Sequence, residues 1–251
     1  MSPDQDQSRN RAENQPPIAS AWTRPRKERD QQPLSRERIV AEAVALLDAE
    51  GLDALSMRQL GTRLSAGATS LYRHVANRDE LIELVVDHVY GEIEVPDPPA
   101  AAHWRAAVDA CAHSMRAMIL RHPWTATLIA EVGLSYLGPN VVRLTDRMLA
   151  VFEAAGFAPG EADLAISAVM AYVIGISISE GAWLTSLARS GLTEAQWIER
   201  LKPAVEQATR DYPRLRDAAP EPGHDPRRAR DENFQYGLDR MLDGLRSRLA
   251  D

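Results

Sequence analysis

Residues 56–78, SMRQLGTRLSAGATSLYRHVANR, decide the fold of this chain. They hold two short helical patterns, each too small to bury a face alone, joined by a tight break at Ser65-Ala66-Gly67. That is the outline of a helix-turn-helix, the unit that sets a second helix into the major groove of DNA. Ser56 and Gln59 have the S-x-x-Q spacing of a capping box, which starts the first helix of the pair at Met57 and buries Met57, Leu60 and Leu64. The second is expected over residues 68–74 with Leu71 and Val75 facing inward, leaving Thr69, Ser70, Tyr72, Arg73 and His74 free to face DNA. A phenol and an imidazole on one exposed helical face supply phosphate donors that fix register. Thr69 and Ser70 are small enough to approach a thymine methyl or a base acceptor. The plain alternative is a protein-contact helix that carries Tyr and His by chance.

Upstream, Ser35 is a plausible N-cap, Ile39, Ala43, Leu46 and Leu47 form one apolar stripe, and Gly51 ends that helix. Residues 1–33 are polar and Pro-punctuated without apolar period, so no fixed structure is expected of them in isolation. Within them Arg24, Arg26, Lys27 and Arg29 cluster with Trp22 just before the first helix. They read either as a solvated tail or as an arm along the minor groove or the phosphates.

Downstream, a helix is expected from Arg78 to about Ile93, after which Pro96, Pro98 and Pro99 mark a boundary. Helical patterns then cover residues 104–121, 141–155, 161–187 and 193–210, and residues 211–228 are expected to be a loop. In the last helix Phe234, Leu238, Met241, Leu242, Leu245 and Leu249 make a narrow continuous stripe. The expectation is an all-α chain: an arm (1–33), a three-helix head (34–80) and a helical second domain (81–251).

Composition bears on partners. Apolar residues at 45% with 26% charged are those of a globular protein. The formal charge of -7 argues at first against nucleic acid. Residues 1–80, however, hold 12 Lys+Arg against 12 Asp+Glu, so the excess acid lies wholly beyond the head. The longest apolar run, residues 165–178, is interrupted by serines and shorter than the ~20 residues of a bilayer span, so no membrane partner is expected. One cysteine, Cys111, makes no internal disulfide and fits a reducing cytoplasm.

These residues resemble the tetracycline-repressor (TetR) family of one-component bacterial regulators. The resemblance rests on Gly51, Ser56, Leu60, Leu64, Leu71-Tyr72-Arg73-His74-Val75 and Asn77-Arg78-Asp79-Glu80-Leu81 in the head. Beyond it lie Trp104, His122-Pro123-Trp124, Gly138-Pro139-Asn140, Gly156-Phe157 and residues 167–175, so about residues 34–250 are covered. It implies that Tyr72 and His74 bond phosphates, that Arg78 stands where the family keeps a phosphate-binding Lys, that Ser70 and Thr69 approach base edges, and that Arg58 reads guanine. The arm and corners resemble the simocyclinone-export repressor branch of the family. Gly61, Ser65 and Ala66 depart from the usual Ala, Gly and Val. Gly61 costs its helix about 1 kcal/mol against Ala, and Ser65 leaves the turn without its permissive glycine.

A helix apolar on nearly all sides must be covered on all sides. A homodimer is therefore expected, with Val169, Val173 and Ile176 of the long helix and Phe234, Leu238, Met241, Leu242 and Leu245 of the last helix forming a four-helix interface. Trp104, Cys111, Met115, Met118, Trp124, Tyr136, Met148, Phe152, Tyr172 and Trp183 supply large adaptable surface for a small apolar effector. Most residues of this kind are ordinary core, which is the plain alternative for each of them.

No metal or cofactor is expected. His74, His88, His103, His113, His122 and His224 show no i, i+4 pairing and no Cys partner. By resemblance Ile129 stands where the tetracycline repressor keeps a metal-binding histidine. G-x-S-x-G, H-E-x-x-H and G-x-G-x-x-G are missing, and residues 61–67 have the wrong spacing for a phosphate loop, so no enzyme is expected. The expected function is a ligand-responsive repressor that binds a pseudo-palindromic double-stranded operator as a homodimer and is released by an apolar small molecule, controlling an antibiotic exporter or biosynthetic gene. The alternatives are an activator or ligand-independent DNA-binding protein, and a small-molecule binding protein with a vestigial head.

Overall fold

Side-chain caps set where the head helices begin. In the computed structural model, which describes residues 33–95, 103–132, 138–217 and 225–249, Ser35 accepts a bond from Arg38 N and opens α1 (Arg36–Glu50). Gly51, at φ 80°, closes it, and a short 3-10 turn (Leu52–Ala54) leads to the next cap. Ser56 accepts from Gln59 N at 3.2 Å and opens α2 (Met57–Arg63). The expected capping box is only half built: the Gln59 amide turns away to Glu50 Oε2 at 2.8 Å. Helix α3 (Ala68–Leu71) follows, and Asn77 caps α4 (Arg78–Tyr90) by accepting from Glu80 N.

The remaining helices are α5 (Trp104–Arg121), α6 (Thr125–Val132), α7 (Pro139–Ala155), α8 (Pro159–Ser190), α9 (Glu194–Ala208), α10 (Pro213–Asp217) and α11 (Pro226–Ser247). No strand occurs among the described residues. Three points differ from the sequence expectation. The corner after His122 is itself helical, because eight residues are too few for a 3.6-residue period to stand out. Residues 211–228 contain α10 and the start of α11, each opened by a proline at its first position, where the missing N–H has no helical partner to lose. The long helix starts at Pro159 for the same reason and runs 32 residues to Gly191, which is left-handed at φ 67°.

α5 is the central element, packed against α8, α7 and α4, and α8 packs in turn against α7 and α11. Trp104 at the start of α5 meets Phe152 and Phe157 at 5.7 and 5.8 Å, and Phe152 meets Phe157 edge-on. By length and composition α8 is apolar enough to cross a bilayer. Its face from Ala162 to Gly181 is instead buried against neighbouring helices, with Glu180 held in ion pairs. α4 packs on both α1 and α7, so the head and the helices beyond it share one element.

Candidate DNA-binding head and effector-domain clefts

The turn between α2 and α3 ends α2 in a Schellman motif. Ala66 N donates to Gly61 O at 2.9 Å and Ser65 N to Thr62 O at 3.1 Å. The residue that must be left-handed is Ser65, at φ 51°, and not Gly67. α3 is shorter than expected: regular helix stops at Leu71, and His74 N bonds back only three residues to Leu71 O. Leu71 and Val75 are buried, and they turn Thr69, Ser70, Tyr72 and Arg73 into solvent, Tyr72 being 51% exposed. His74 is half-buried, and Arg58 and Arg78 are exposed. The Ser56 hydroxyl serves as the α2 cap, and Arg78 uses its Nε to bond Leu55 O at 3.2 Å, leaving its terminal nitrogens free of that bond. Arg24, Arg26, Lys27 and Arg29 lie outside the described residues.

Arg36 was not singled out by sequence. Its Nε donates to His74 O and its guanidinium faces Glu80 at 3.7 Å, so the end of the recognition segment is tied to α1. The contact spans 38 residues and has no local signal.

The head is joined to the second domain by a polar junction that sequence reasoning also missed. His122, buried at the α5–α6 corner, places Nδ1 2.7 Å from Asp48 Oδ1 of α1 and Nε2 3.2 Å from Glu92 Oε1 just past α4. Trp124 donates its indole N–H to the same Asp48 oxygen at 2.7 Å. A second link runs from α4 to α7: the Asp87 carboxylate accepts from Asn140 N, Val141 N and Asn140 Nδ2 and so caps α7 from outside. A Cβ on Gly138 would stand 2.2 Å from that carboxylate, which is why this corner carries glycine.

The residues expected from sequence to line an effector site are divided between the core and polar networks. Trp104, Cys111, Met115, Met118, Met148 and Phe152 are buried in the core, where facing helices fill the space between them. Burial pushes the Cys111 thiol up to about 12, so it stays protonated. Trp124 serves the junction. Tyr172 donates its hydroxyl to Phe234 O at 2.8 Å, and Trp183 donates to Glu194 Oε1 at 2.9 Å. Glu194 also pairs with Arg230, which with Arg116 brackets Glu180. Burial alone would lower the Arg116 pKa, but hydrogen bonds to Glu180 and Asp231 outweigh it and hold the group above its ordinary value. Tyr136 lies outside the described residues.

Clefts open among the described residues. One cleft of about 380 Å³ lies between the end of α4, α5 at Ala110 and the first half of α7, beside Tyr90, Ile93, Asn140 and Arg147. Another of about 440 Å³ lies where the end of α5 and α6 face the C-terminal half of α8, beside Ile119, Pro123, Ala126, Ser177 and Ile178.

The residues expected at a dimer interface differ in burial within one chain. Val169, Val173, Phe234, Leu238 and Leu242 are buried within one chain, so a second copy cannot cover them further. Their stripes face α5 and each other. Ile176, Met241 and Leu245 remain half-buried. The outward side of α8 is a different set, Leu164, Ala168, Ala171 and Gly175, all exposed.

A helix-turn-helix head keyed through Asp48 and Asp87 to a larger helical domain defines a DNA-binding transcriptional regulator. Residues 39–85 match the family profile described as bacterial regulatory proteins, tetR family, and residues 95–249 match that of the tetracyclin repressor-like C-terminal domain. The chain belongs to the TetR family. It is 35% identical over 218 residues to an HTH-type transcriptional regulator of Saccharopolyspora erythraea, covering 86% of this chain and 89% of that one. It is 33% identical over 217 residues to the HTH-type transcriptional repressor DrrR1 of Streptomyces coeruleorubidus, covering 84% and 77%. The crystal structure of ActR from Streptomyces coelicolor in complex with actinorhodin superposes with a TM-score of 0.70 at 32% identity, covering 88% of this chain and 100% of that one. These relatives are named as regulators and repressors, and this chain is a regulator, not an enzyme.

Proposed function

We propose that this regulator is a ligand-responsive repressor, acting in the cytoplasm as a homodimer on a pseudo-palindromic operator and released when an apolar small molecule enters the second domain. The observation that carries this reading is the junction: the corner holding Asp48 through His122 and Trp124 also forms a wall of an open cleft through Pro123 and Ala126. A molecule in that cleft touches Pro123 and Ala126, the sequence neighbours of the residues that hold Asp48. ActR was crystallised with a small molecule, actinorhodin, and DrrR1 is named a repressor, which support the same reading for this chain.

Exposed Thr69, Ser70, Tyr72 and Arg73 are assigned to DNA, with Arg58, His74 and Arg78 beside them. The dimer surface is assigned to the outward side of α8 around Leu164, Ala168, Ala171 and Gly175, together with the exposed Tyr236 and Arg240 of α11, the helix that packs on α8. Two heads about one DNA turn apart then read both half-sites. An antibiotic exporter or biosynthetic gene is the proposed target class.

The test is operator binding by fluorescence anisotropy with and without effector. By linkage, operator must weaken effector binding by the factor that effector weakens operator binding. An effector that binds free and operator-bound protein equally removes the repressor mechanism and leaves DNA binding untouched. Transcription that falls when the gene is deleted would instead favour an activator.

A further inference from the structure

Helix α3 has only four residues, and a single turn does not fix its own direction. The side chains assigned to DNA run past its end, because Tyr72, Arg73 and His74 lie in the turn between α3 and α4. Within that turn His74 N and Val75 N both bond back to Leu71 O, at 2.9 and 3.0 Å. Leu71 and Val75 are buried and anchor the turn from inside. Its outward backbone groups are taken by side chains of other elements.

Arg36, the first residue of α1, donates its Nε to His74 O at 3.2 Å. Glu80, in the first turn of α4, accepts from Ala76 N, while its own N–H is bonded to Asn77 Oδ1 at 2.8 Å. The two side chains then face each other, Arg36 Nη2 to Glu80 Oε1 at 3.7 Å. A clasp built from α1 and α4 thus closes over residues 74–76. Its charges attract only weakly, because the Arg36 side chain is 56% exposed and water screens the pair. What Glu80 supplies is direction: the guanidinium is a rigid planar fork, and a carboxylate on one edge aims Nε at the His74 carbonyl.

We infer that Arg36 is a positioning residue for operator binding, braced by Glu80, which holds the backbone of residues 74–76 so that Tyr72 and His74 meet the phosphates in register. The inference rests on the reading that Tyr72 and His74 face DNA. Contacts to phosphates fix the register of a recognition helix, so loosening the backbone that carries them weakens binding without removing a contacting group. Arg36 acts through that backbone and not as a phosphate ligand itself.

The test is operator affinity of the full-length protein by fluorescence anisotropy over a series of salt concentrations. It compares Arg36→Met, His74→Ala and Tyr72→Phe with the two double variants that contain Arg36→Met. Methionine keeps much of the arginine stem and has neither donor nor charge. Arg36→Met is expected to weaken operator binding about tenfold, the loss of one charge-assisted hydrogen bond, with the log–log salt slope unchanged. On that background His74→Ala and Tyr72→Phe should each cost clearly less than in wild type, because the contacts they remove are already out of place. Arg36→Lys keeps a donor and the charge but not the fork, and should recover only part of the affinity. A slope lower by about 0.9 puts Arg36 on a phosphate and overturns the positioning role. Wild-type affinity in Arg36→Met, or costs that simply add in the double variants, overturns it too. If Arg36→Met unfolds below the assay temperature, Glu80→Gln carries the same comparison: it keeps an acceptor for Ala76 N, drops the charge facing Arg36, and should weaken binding about threefold. If neither His74→Ala nor Tyr72→Phe weakens binding, the reading that these residues face DNA fails and takes the clasp with it, whereas additive costs remove the clasp alone.

Discussion

Ser65 occupies a backbone conformation in which a side chain is a burden. A non-glycine residue in the left-handed region is disfavoured by about 1 kcal/mol or more, and here it sits in the turn that aims α3. Ser65→Gly is expected to raise unfolding free energy by about 1 kcal/mol, read by guanidinium denaturation, and Ser65→Val to lower it. An unchanged midpoint for the glycine variant would mean that the turn is not strained. At Cys111 the expectation is chemical: with its thiol held at about 12, native protein at pH 8 should resist Ellman's reagent and react once unfolded. Rapid modification of the folded protein would contradict its burial. At this scale the sequence was a partial guide. It shows that Ser65 replaces a glycine and that Ser177 interrupts an apolar run. It cannot show that the first is left-handed or that the second, though buried, lacks a hydrogen-bond partner among the described residues, since both depend on where neighbouring helices put their carbonyls.

Two elements depend on glycine to be close together. Helix α7 has no side-chain cap of its own, and Asp87 of α4 supplies one across the corner only because Gly138 leaves room. Gly138→Ala should expel the carboxylate and cost about 1–3 kcal/mol, the range for a buried polar group left unpaired. If Asp87→Ala costs nothing in the same assay, the external cap contributes nothing. Likewise a Cβ on Gly237 of α11 would lie 2.3 Å from the Tyr172 hydroxyl of α8, so Gly237→Ala should loosen that pair by about 1–3 kcal/mol through overpacking. Helices with strong apolar periods were legible from sequence, and α1, α4, α5 and α11 lie close to where the pattern put them. The short α6 and α10 were not, because a few residues carry no readable period. The stripe on α11 is legible as a stripe, and within one chain Phe234, Leu238 and Leu242 are covered while Met241 and Leu245 stay half-buried, since periodicity reports that a face is covered and not by what.

For the whole molecule, the proposed dimer predicts a solution mass of twice 27.8 kDa. Ala171→Glu, on the outward side of α8, should shift it toward one copy and weaken operator binding steeply, whereas a monomeric wild type at micromolar concentration would remove the dimer. Deleting residues 1–30 tests the arm: for every phosphate that the arm neutralises, the deletion should reduce the salt dependence of operator binding by about 0.9 in log–log slope. An unchanged slope assigns those residues no role at the phosphates. The division of labour between a near-neutral head and an acidic remainder was visible in the charges. The grip between them was not, because Asp48, Glu92 and His122 are brought together from three separate helical segments. That grip bears on how such regulators diversify. The side chains proposed to face DNA lie on α3 and just after it, while Asp48, which ties the head to the His122 corner, is on α1, so target preference and transmission are free to drift separately. Head domains are then interchangeable parts with a defined fitting: a chimera that replaces α1–α3 and keeps α4 should keep effector control when it brings a carboxylate to position 48, and lose it when it does not.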